Sequence, residues 1–141
     1  MNRDHIQALI VERRRDAEAL LRQHRWGFAY YTTGYVVELG LKSCVLTRMA
    51  QTGWVFADRL PVKTFLTHDF GELVLLARLD KELTAKQTAS KAFARNWGQV
   101  VLWKETVRYA LPEPTRTQAE ELYRAVTDEP DGVQAWLRGY W

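Results

Sequence analysis

The stretch WGFAYYTTGYVVELGLKSCVLTRMA, residues 26–50, decides the fold. Apolar and small side chains occupy nearly every face of a helix drawn over it, which is typical of the most buried helix of a bundle. A glycine within a helix costs about 1 kcal/mol relative to alanine. Gly34 and Gly40 therefore predict that a neighbouring backbone packs closely against this helix.

Glu38 and Lys42 are the two charges between residues 26 and 47. Their separation of four, with the acid first, favours a mutual contact on a helix. A buried charge is costly without a partner. The two residues are therefore expected to pair with each other, to reach solvent or to line a functional cleft.

Helical periodicity continues on both sides of this stretch. Apolar residues three and four apart predict a first helix over residues 3–23. Capping-type residues followed three positions later by Glu or Gln predict further helix starts. These starts are Asp69 with Glu72, Thr84 with Gln87, Thr117 with Glu120, and Asp131 with Gln134. The helix from Thr84 is expected to continue through Val107 and to end before Pro112.

The fold class predicted from this pattern is all-α, an antiparallel up-and-down bundle of four to five helices. No stretch shows the alternation of a strand. The chain of 141 residues has no flexible linker, so residues 1–141 are expected to form a single domain. The connector over residues 51–66 is expected to pack Trp54, Val55 and Phe56 onto the core.

Cysteine content and the distribution of charge indicate in which cellular compartment the protein is expected. Cys44 is the single cysteine, which excludes an internal disulfide and favours a reducing, cytoplasmic location. The N-terminus carries arginines where a signal peptide would be apolar. The longest uncharged run, residues 26–37, is too short for the roughly 20 residues of a membrane span. No membrane association is therefore expected.

Charge is unevenly distributed along the chain. Residues 42–108 carry eleven basic and six acidic side chains, whereas residues 109–141 carry three and six. The two segments can simply present solvated helix faces. They can also provide a basic face for phosphates, or unlike patches through which copies of the chain associate.

The candidate chemical residues are few. The sequence has no glycine-rich phosphate loop, no glycine-flanked serine nucleophile and no zinc-type spacing of Cys and His, so no metal site is expected. Cys44 is expected to be a buried packing thiol. His68 and Asp69 stand at a helix start, where Asp69 can cap the helix and His68 can carry a proton. Arg108 is expected to end the fourth helix, where a cation suits the helix dipole.

Several motifs together resemble one family. GYVVELGLKSCVL, residues 34–46, is similar to the second helix of HEPN domains (higher eukaryotes and prokaryotes nucleotide-binding). THDFGELVLLA, residues 67–77, is similar to that family's His-Asp-containing third helix. Arg108–Tyr109 and GVQAWLRGYW, residues 132–141, resemble the ending of one bacterial branch. The likeness extends over most of the chain.

This resemblance implies an antiparallel helical bundle that commonly dimerises. Many HEPN proteins are metal-independent ribonucleases of toxin–antitoxin or defence systems, or partners of small nucleotidyltransferases. Their nucleases use an arginine followed, after four to six residues, by a histidine. Here no arginine precedes a histidine by that spacing, and no histidine follows His68. The usual ribonuclease activity is therefore expected to be absent.

The sequence thus predicts a non-catalytic, HEPN-like binding or regulatory module that forms a homodimer and needs no cofactor. Its partner would be a nucleotide, a nucleic acid or another protein, and Glu38, Lys42, His68 and Asp69 are the candidate binding residues. The alternative is a divergent metal-independent ribonuclease or nucleotide-handling enzyme that uses Glu38, Lys42, His68 and Arg108. A helical bundle without any ligand is the third possibility.

Overall fold

A computed structural model describes residues 2–51 and 66–141, and every regular element in these ranges is helical. The elements are α1 (Arg3–Arg22), α2 (Trp26–Gln51), α3 (Phe70–Leu76), α4 (Asp80–Ala89), α5 (Lys91–Val100), a 3₁₀ turn (Glu105–Tyr109), α6 (Arg116–Thr127) and α7 (Val133–Leu137). The all-α class is confirmed. These ranges hold seven α-helices, so the predicted number of four to five is too low. The expected packing of residues 54–56 lies outside the described residues.

The first two helices pack against each other as a hairpin and match the sequence prediction closely. Ile6, Ile10 and Ala17 form the buried stripe of α1. Three residues separate the helices, and His24 among them adopts a left-handed conformation with φ 57°. This backbone geometry turns the chain directly from one helix into the next.

Helix α2 is the central helix, in contact with α1, α3, α6, α7 and the 3₁₀ turn. All of its residues from Thr32 to Val45 except Tyr35 are buried. Its glycines Gly34 and Gly40 are closely packed, but the prediction that a neighbouring backbone packs there is wrong, because the nearest atoms belong to side chains. A Cβ on Gly34 would lie 2.2 Å from the indole of Trp103, and one on Gly40 would lie 2.9 Å from Leu137.

The prediction of one long helix from Thr84 through Val107 is wrong. The helix begins earlier, at Asp80, and ends at Ala89. The next residue, Ser90, accepts a hydrogen bond from Phe93 N at 3.1 Å through its Oγ and so caps α5. The same Oγ donates to Asp131 Oδ1 at 2.8 Å. Because the serine hydroxyl satisfies a free amide at a new helix start, the chain breaks there and changes direction.

The predicted cap of the last helix is also wrong. Asp131 and Gln134 do not pair around its start; α7 begins after Gly132 with no side-chain cap. Asp131 instead accepts the hydrogen bond from Ser90, and Gln134 Oε1 accepts one from Arg14 at 2.9 Å. Both side chains therefore connect distant parts of the fold instead of stabilising their own helix.

The start of α6 lies two residues before the predicted one. Thr115 Oγ1 accepts a hydrogen bond from Gln118 N at 3.2 Å, and Gln118 Oε1 accepts one from Thr115 N at 2.8 Å. This reciprocal pair is a complete capping box. Sequence spacing alone could not separate it from the pair of Thr117 and Glu120, because both pairs are separated by three residues.

Thr115→Ala should lower the free energy of unfolding by about 1 kcal/mol, since it removes the oxygen that caps α6. Thr117→Ala is the matched control, because Thr117 is exposed in the first turn and provides no cap. Chemical denaturation of both variants measures the difference. Equal losses, or a larger loss for Thr117→Ala, would place the helix start where the sequence alone put it.

Aromatic side chains make up a large part of the core. Trp97, Trp103 and Trp136 are buried, and Phe93 lies fully buried between Trp97 and Trp136 with ring centroids 6.5 and 5.4 Å away. Rings in such tilted and offset contacts fill a large interior efficiently.

None of the helices in residues 2–51 and 66–141 combines the length and the apolar character that crossing a membrane requires.

Candidate functional site

Glu38 and Lys42 form a buried ion pair on α2. Lys42 Nζ donates to Glu38 Oε1 at 2.7 Å, as the spacing of four residues predicts. Glu38 is 1% exposed and Lys42 is 8% exposed. The surrounding helices have therefore removed both charges from water, and each charge stabilises the other inside the protein.

His68 approaches the same carboxylate from the segment that leads into α3. Its Nδ1 lies 2.9 Å from Glu38 Oε2, so the two carboxylate oxygens serve two different partners. A carboxylate accepts hydrogen bonds, and this contact therefore favours the tautomer with hydrogen on Nδ1. The contact ties the middle of α2 to the start of α3.

Asp69 caps α3, as its position predicts. Its Oδ1 accepts a hydrogen bond from Glu72 N at 2.9 Å. The reciprocal half of the predicted capping box is replaced, because Thr67 Oγ1 accepts from Asp69 N at 3.1 Å and donates to Glu72 Oε2 at 2.5 Å. These bonds fix the backbone on both sides of His68 and so orient its ring toward Glu38.

The geometry gives His68 one available ring nitrogen. Nδ1 is directed at the buried carboxylate, whereas the side chain as a whole is 44% exposed. Nε2 is therefore the nitrogen that can face a ligand or solvent. A carboxylate that holds a histidine in one tautomer is an arrangement that also occurs in acid–base catalysis.

Arg108 is not part of this cluster. It lies in the 3₁₀ turn, which corrects its predicted place at the end of a helix, and its Nη1 donates to the hydroxyl of Tyr31 at 3.3 Å. This hydrogen bond raises the pKa of Arg108. Tyr31 precedes Glu38 by seven residues on α2, about two turns or 10 Å along the axis. The structure thus brings Glu38, Lys42 and His68 together, whereas Arg108 lies apart from them, beside Tyr31.

A groove lies between α1 and the first half of α2. Its volume is about 600 Å³. The residues that line it include Arg13, Asp16, Leu20, Phe28, Tyr31 and Tyr35. The run of aromatic residues in α2 was the available signal, but an apolar helix gives no indication of which ring faces a groove.

Tyr35 links this groove to the buried cluster. Burial raises the pKa of its hydroxyl, the negative charge of Glu38 raises it further, and the positive charge of Arg13 opposes the shift. The ring of Tyr35 is stacked on that of Tyr31, with centroids 6.3 Å apart and planes within 5°. The charged cluster and the aromatic groove therefore occupy neighbouring parts of one face of α2.

Cys44 is buried, as predicted, and its Sγ lies 3.7 Å from the carbonyl oxygen of Leu137. Burial raises the pKa of the thiol to about 12. The thiol is therefore protonated at neutral pH and is a poor nucleophile.

In the described ranges, no group of three or more His, Cys, Asp or Glu side chains is arranged to hold a metal ion.

Comparison of the chain with protein-family models, curated proteins and solved structures finds no match.

Proposed function

We propose that this chain is a non-catalytic, HEPN-like binding or regulatory module, built as an antiparallel helical bundle and acting in a bacterial toxin–antitoxin or defence-type system. Its partner is a nucleotide, a nucleic acid or another protein. The resemblance of residues 34–46 and 67–77 to HEPN helices motivates the family, and the all-helical architecture is compatible with it. The absence of the family's Arg–His spacing motivates the non-catalytic role.

The observation that carries this proposal is that the buried carboxylate of Glu38 contacts two side chains at once. One carboxylate oxygen accepts from Lys42 and the other contacts His68, while Glu38 and Lys42 are both buried. A substrate cannot reach either of these two side chains without opening the packed helices. The cluster is better suited to holding α2 against the start of α3 than to touching a reacting group.

Exposed apolar side chains after α5 support a protein contact, including the proposed homodimer. A short segment of the chain carries three of them, Leu102, Tyr109 and Leu111. The side chain of Leu111 is 91% exposed. Single exposed apolar residues are ordinary, but several in one segment are typical of interaction surfaces. Sedimentation velocity of the wild-type chain measures whether it pairs.

The proposal predicts that the purified chain does not cleave mixed-sequence RNA in the presence of EDTA. Wild type and His68→Gln should both leave the RNA intact over hours, as measured by gel electrophoresis. His68→Gln keeps a side chain that can hydrogen-bond to Glu38, so its fold is preserved better than that of His68→Ala. His5→Gln is the matched control, because His5 is exposed on α1.

Metal-independent cleavage by wild type that is lost in His68→Gln and retained in His5→Gln would overturn the proposal. That result would support the second candidate function, a divergent metal-independent ribonuclease or nucleotide-handling enzyme. The observation that favours this candidate is the contact between Glu38 and the part-exposed His68, which leaves Nε2 able to act as a general base. Arg108 would then have to stabilise charge from about two turns away along α2.

A further inference from the structure

A cleft between the middle of α1 and the last helix, α7, lies apart from the residues discussed so far. Its volume is about 400 Å³, within the range of small-ligand sites. The residues that line this α1–α7 cleft include Ile10, Val11, Arg14, Gln134, Arg138 and Trp141. They differ from the residues that line the groove between α1 and α2, so the two concavities open on different faces of α1.

Arg14 is held in this cleft by a buried neutral group. Its Nη1 donates to Gln134 Oε1 at 2.9 Å, and Gln134 is only 6% exposed. The bond restricts the guanidinium, because the amide that accepts it is fixed inside the protein. A guanidinium has five N–H donors, and this bond leaves the edge formed by Nε and Nη2 unused. Since the amide of Gln134 is uncharged, this contact does not neutralise Arg14.

The other charged side chains of the cleft are already paired. Arg15 and Arg138 each form an ion pair with a glutamate outside the cleft. Glu18 follows Arg14 by four residues and could pair with it, but its Oε1 lies 2.6 Å from Arg22 Nη2. Among the described residues that line the cleft, the charge of Arg14 is therefore the one without an opposite charge beside it.

Apolar surface lies next to this charge. Val11 is 49% exposed and precedes Arg14 by three residues, so the two side chains are neighbours on one face of α1. Trp141 is partly buried and lines the cleft from the chain after α7. A ligand with an apolar part would remove this surface from water, which is favourable in proportion to the area covered.

From this arrangement we infer that the α1–α7 cleft binds a small organic monocarboxylate, with its carboxylate at Arg14 and its apolar group against Val11 and Trp141. A carboxylate matches the planar fork of a guanidinium and supplies one negative charge. A phosphate monoester carries a charge of about −1.5 to −2 at neutral pH and would need a second free cation, whereas Arg15 and Arg138 are already paired. The inference goes beyond the proposed function, because it assigns the chain a further ligand.

The test is a calorimetric titration of the full chain with hexanoate and with phenylacetate. At least one of them should bind, and about tenfold or more tightly than its uncharged amide, because the amide cannot make the charge-assisted contact. Acetate should also bind about tenfold or more weakly, since it has almost no apolar surface to bury. Hexyl phosphate, which has the same chain length as hexanoate, should bind more weakly than hexanoate.

Arg14→Gln should weaken the binding of the carboxylate about tenfold or more. Val11→Ser should weaken it about threefold through lost apolar contact, and its exposed position leaves the core intact. Arg3→Gln is the matched control, an equal change of charge on the same helix. Arg3 is exposed and lies about 16 Å from Arg14 along the helix axis, so this variant should alter the affinity less than about twofold.

No binding of either carboxylate, equal binding of the carboxylates and their amides, or tighter binding of hexyl phosphate than of hexanoate would each overturn the inference. So would an affinity unchanged in both Arg14→Gln and Val11→Ser, or a loss in Arg3→Gln as large as that in Arg14→Gln. Circular dichroism of each variant checks that the helices are retained. These outcomes are distinguishable from failure of the proposed function, which metal-independent RNA cleavage dependent on His68 would overturn.

Discussion

Gly34→Ala should lower the free energy of unfolding by about 3 kcal/mol or more, above the usual range for overpacking a core. The added Cβ would lie 2.2–2.3 Å from three atoms of the Trp103 indole. The indole cannot easily move aside, because Phe70 stacks on it with centroids 5.2 Å apart and Tyr31 lies at 6.1 Å. The gain in helix propensity from alanine, about 1 kcal/mol, is smaller than the strain.

Gly98→Ala is the matched control for this prediction. Gly98 is also within a helix, α5, and a Cβ there meets no atom within 4 Å. That variant should be unchanged or more stable by up to about 1 kcal/mol, since alanine favours the helix. Thermal unfolding should show the contrast as a melting temperature roughly 10 °C lower for Gly34→Ala. Equal stability of the two variants would contradict the packing of Trp103 against Gly34.

Glu38→Gln should be the second large effect, a loss of about 3 kcal/mol in the free energy of unfolding. The amide has almost the same shape as the carboxylate, so no cavity forms. What is lost is the negative charge beside the buried ammonium of Lys42, and removing one partner of a buried pair typically costs about 3–5 kcal/mol. His68 also loses its charged acceptor.

Glu120→Gln tests whether burial is the cause. Glu120 pairs with Arg116 at 2.9 Å with the same spacing of four residues, but both side chains are substantially exposed. An exposed pair of this kind contributes about 1 kcal/mol or less. The double variant Glu38→Leu with Lys42→Met should recover much of the stability, since an apolar pair of similar size needs no counter-charge. A Glu38→Gln loss no larger than that of Glu120→Gln would show that the pair is solvated.

Much of the architecture could be predicted because it depends on local pattern. The limits of α1 and α2 follow from apolar periodicity, and Asp69 follows from the chemistry of a helix start. The pairing of Glu38 with Lys42 follows from their spacing on one helix. The break at Ser90 could not be predicted in this way, because its hydroxyl is held by Asp131, 41 positions away.

In the candidate sites, too, the sequence predicts local features but not contacts between residues that are far apart in the chain. His68 could be singled out as a titratable residue at a helix start, but its contact with Glu38 joins residues 30 positions apart. Arg108 could be named from its type, and yet its partner is Tyr31, 77 positions earlier. The groove escaped sequence analysis altogether, since periodicity does not tell which rings of an all-round apolar helix are covered and which are open.

The distance along the chain between α2 and the residues that cover it has a consequence for biosynthesis. Cys44 contacts Leu137, 93 positions later, and Leu137 also packs against Gly40. At roughly 5–20 residues per second, the ribosome takes on the order of 5 to 20 s to make the chain between them. During that interval an apolar helix stands without its C-terminal cover. Apolar surface that is exposed during synthesis promotes aggregation, so α2 is most vulnerable to it before translation has passed Leu137.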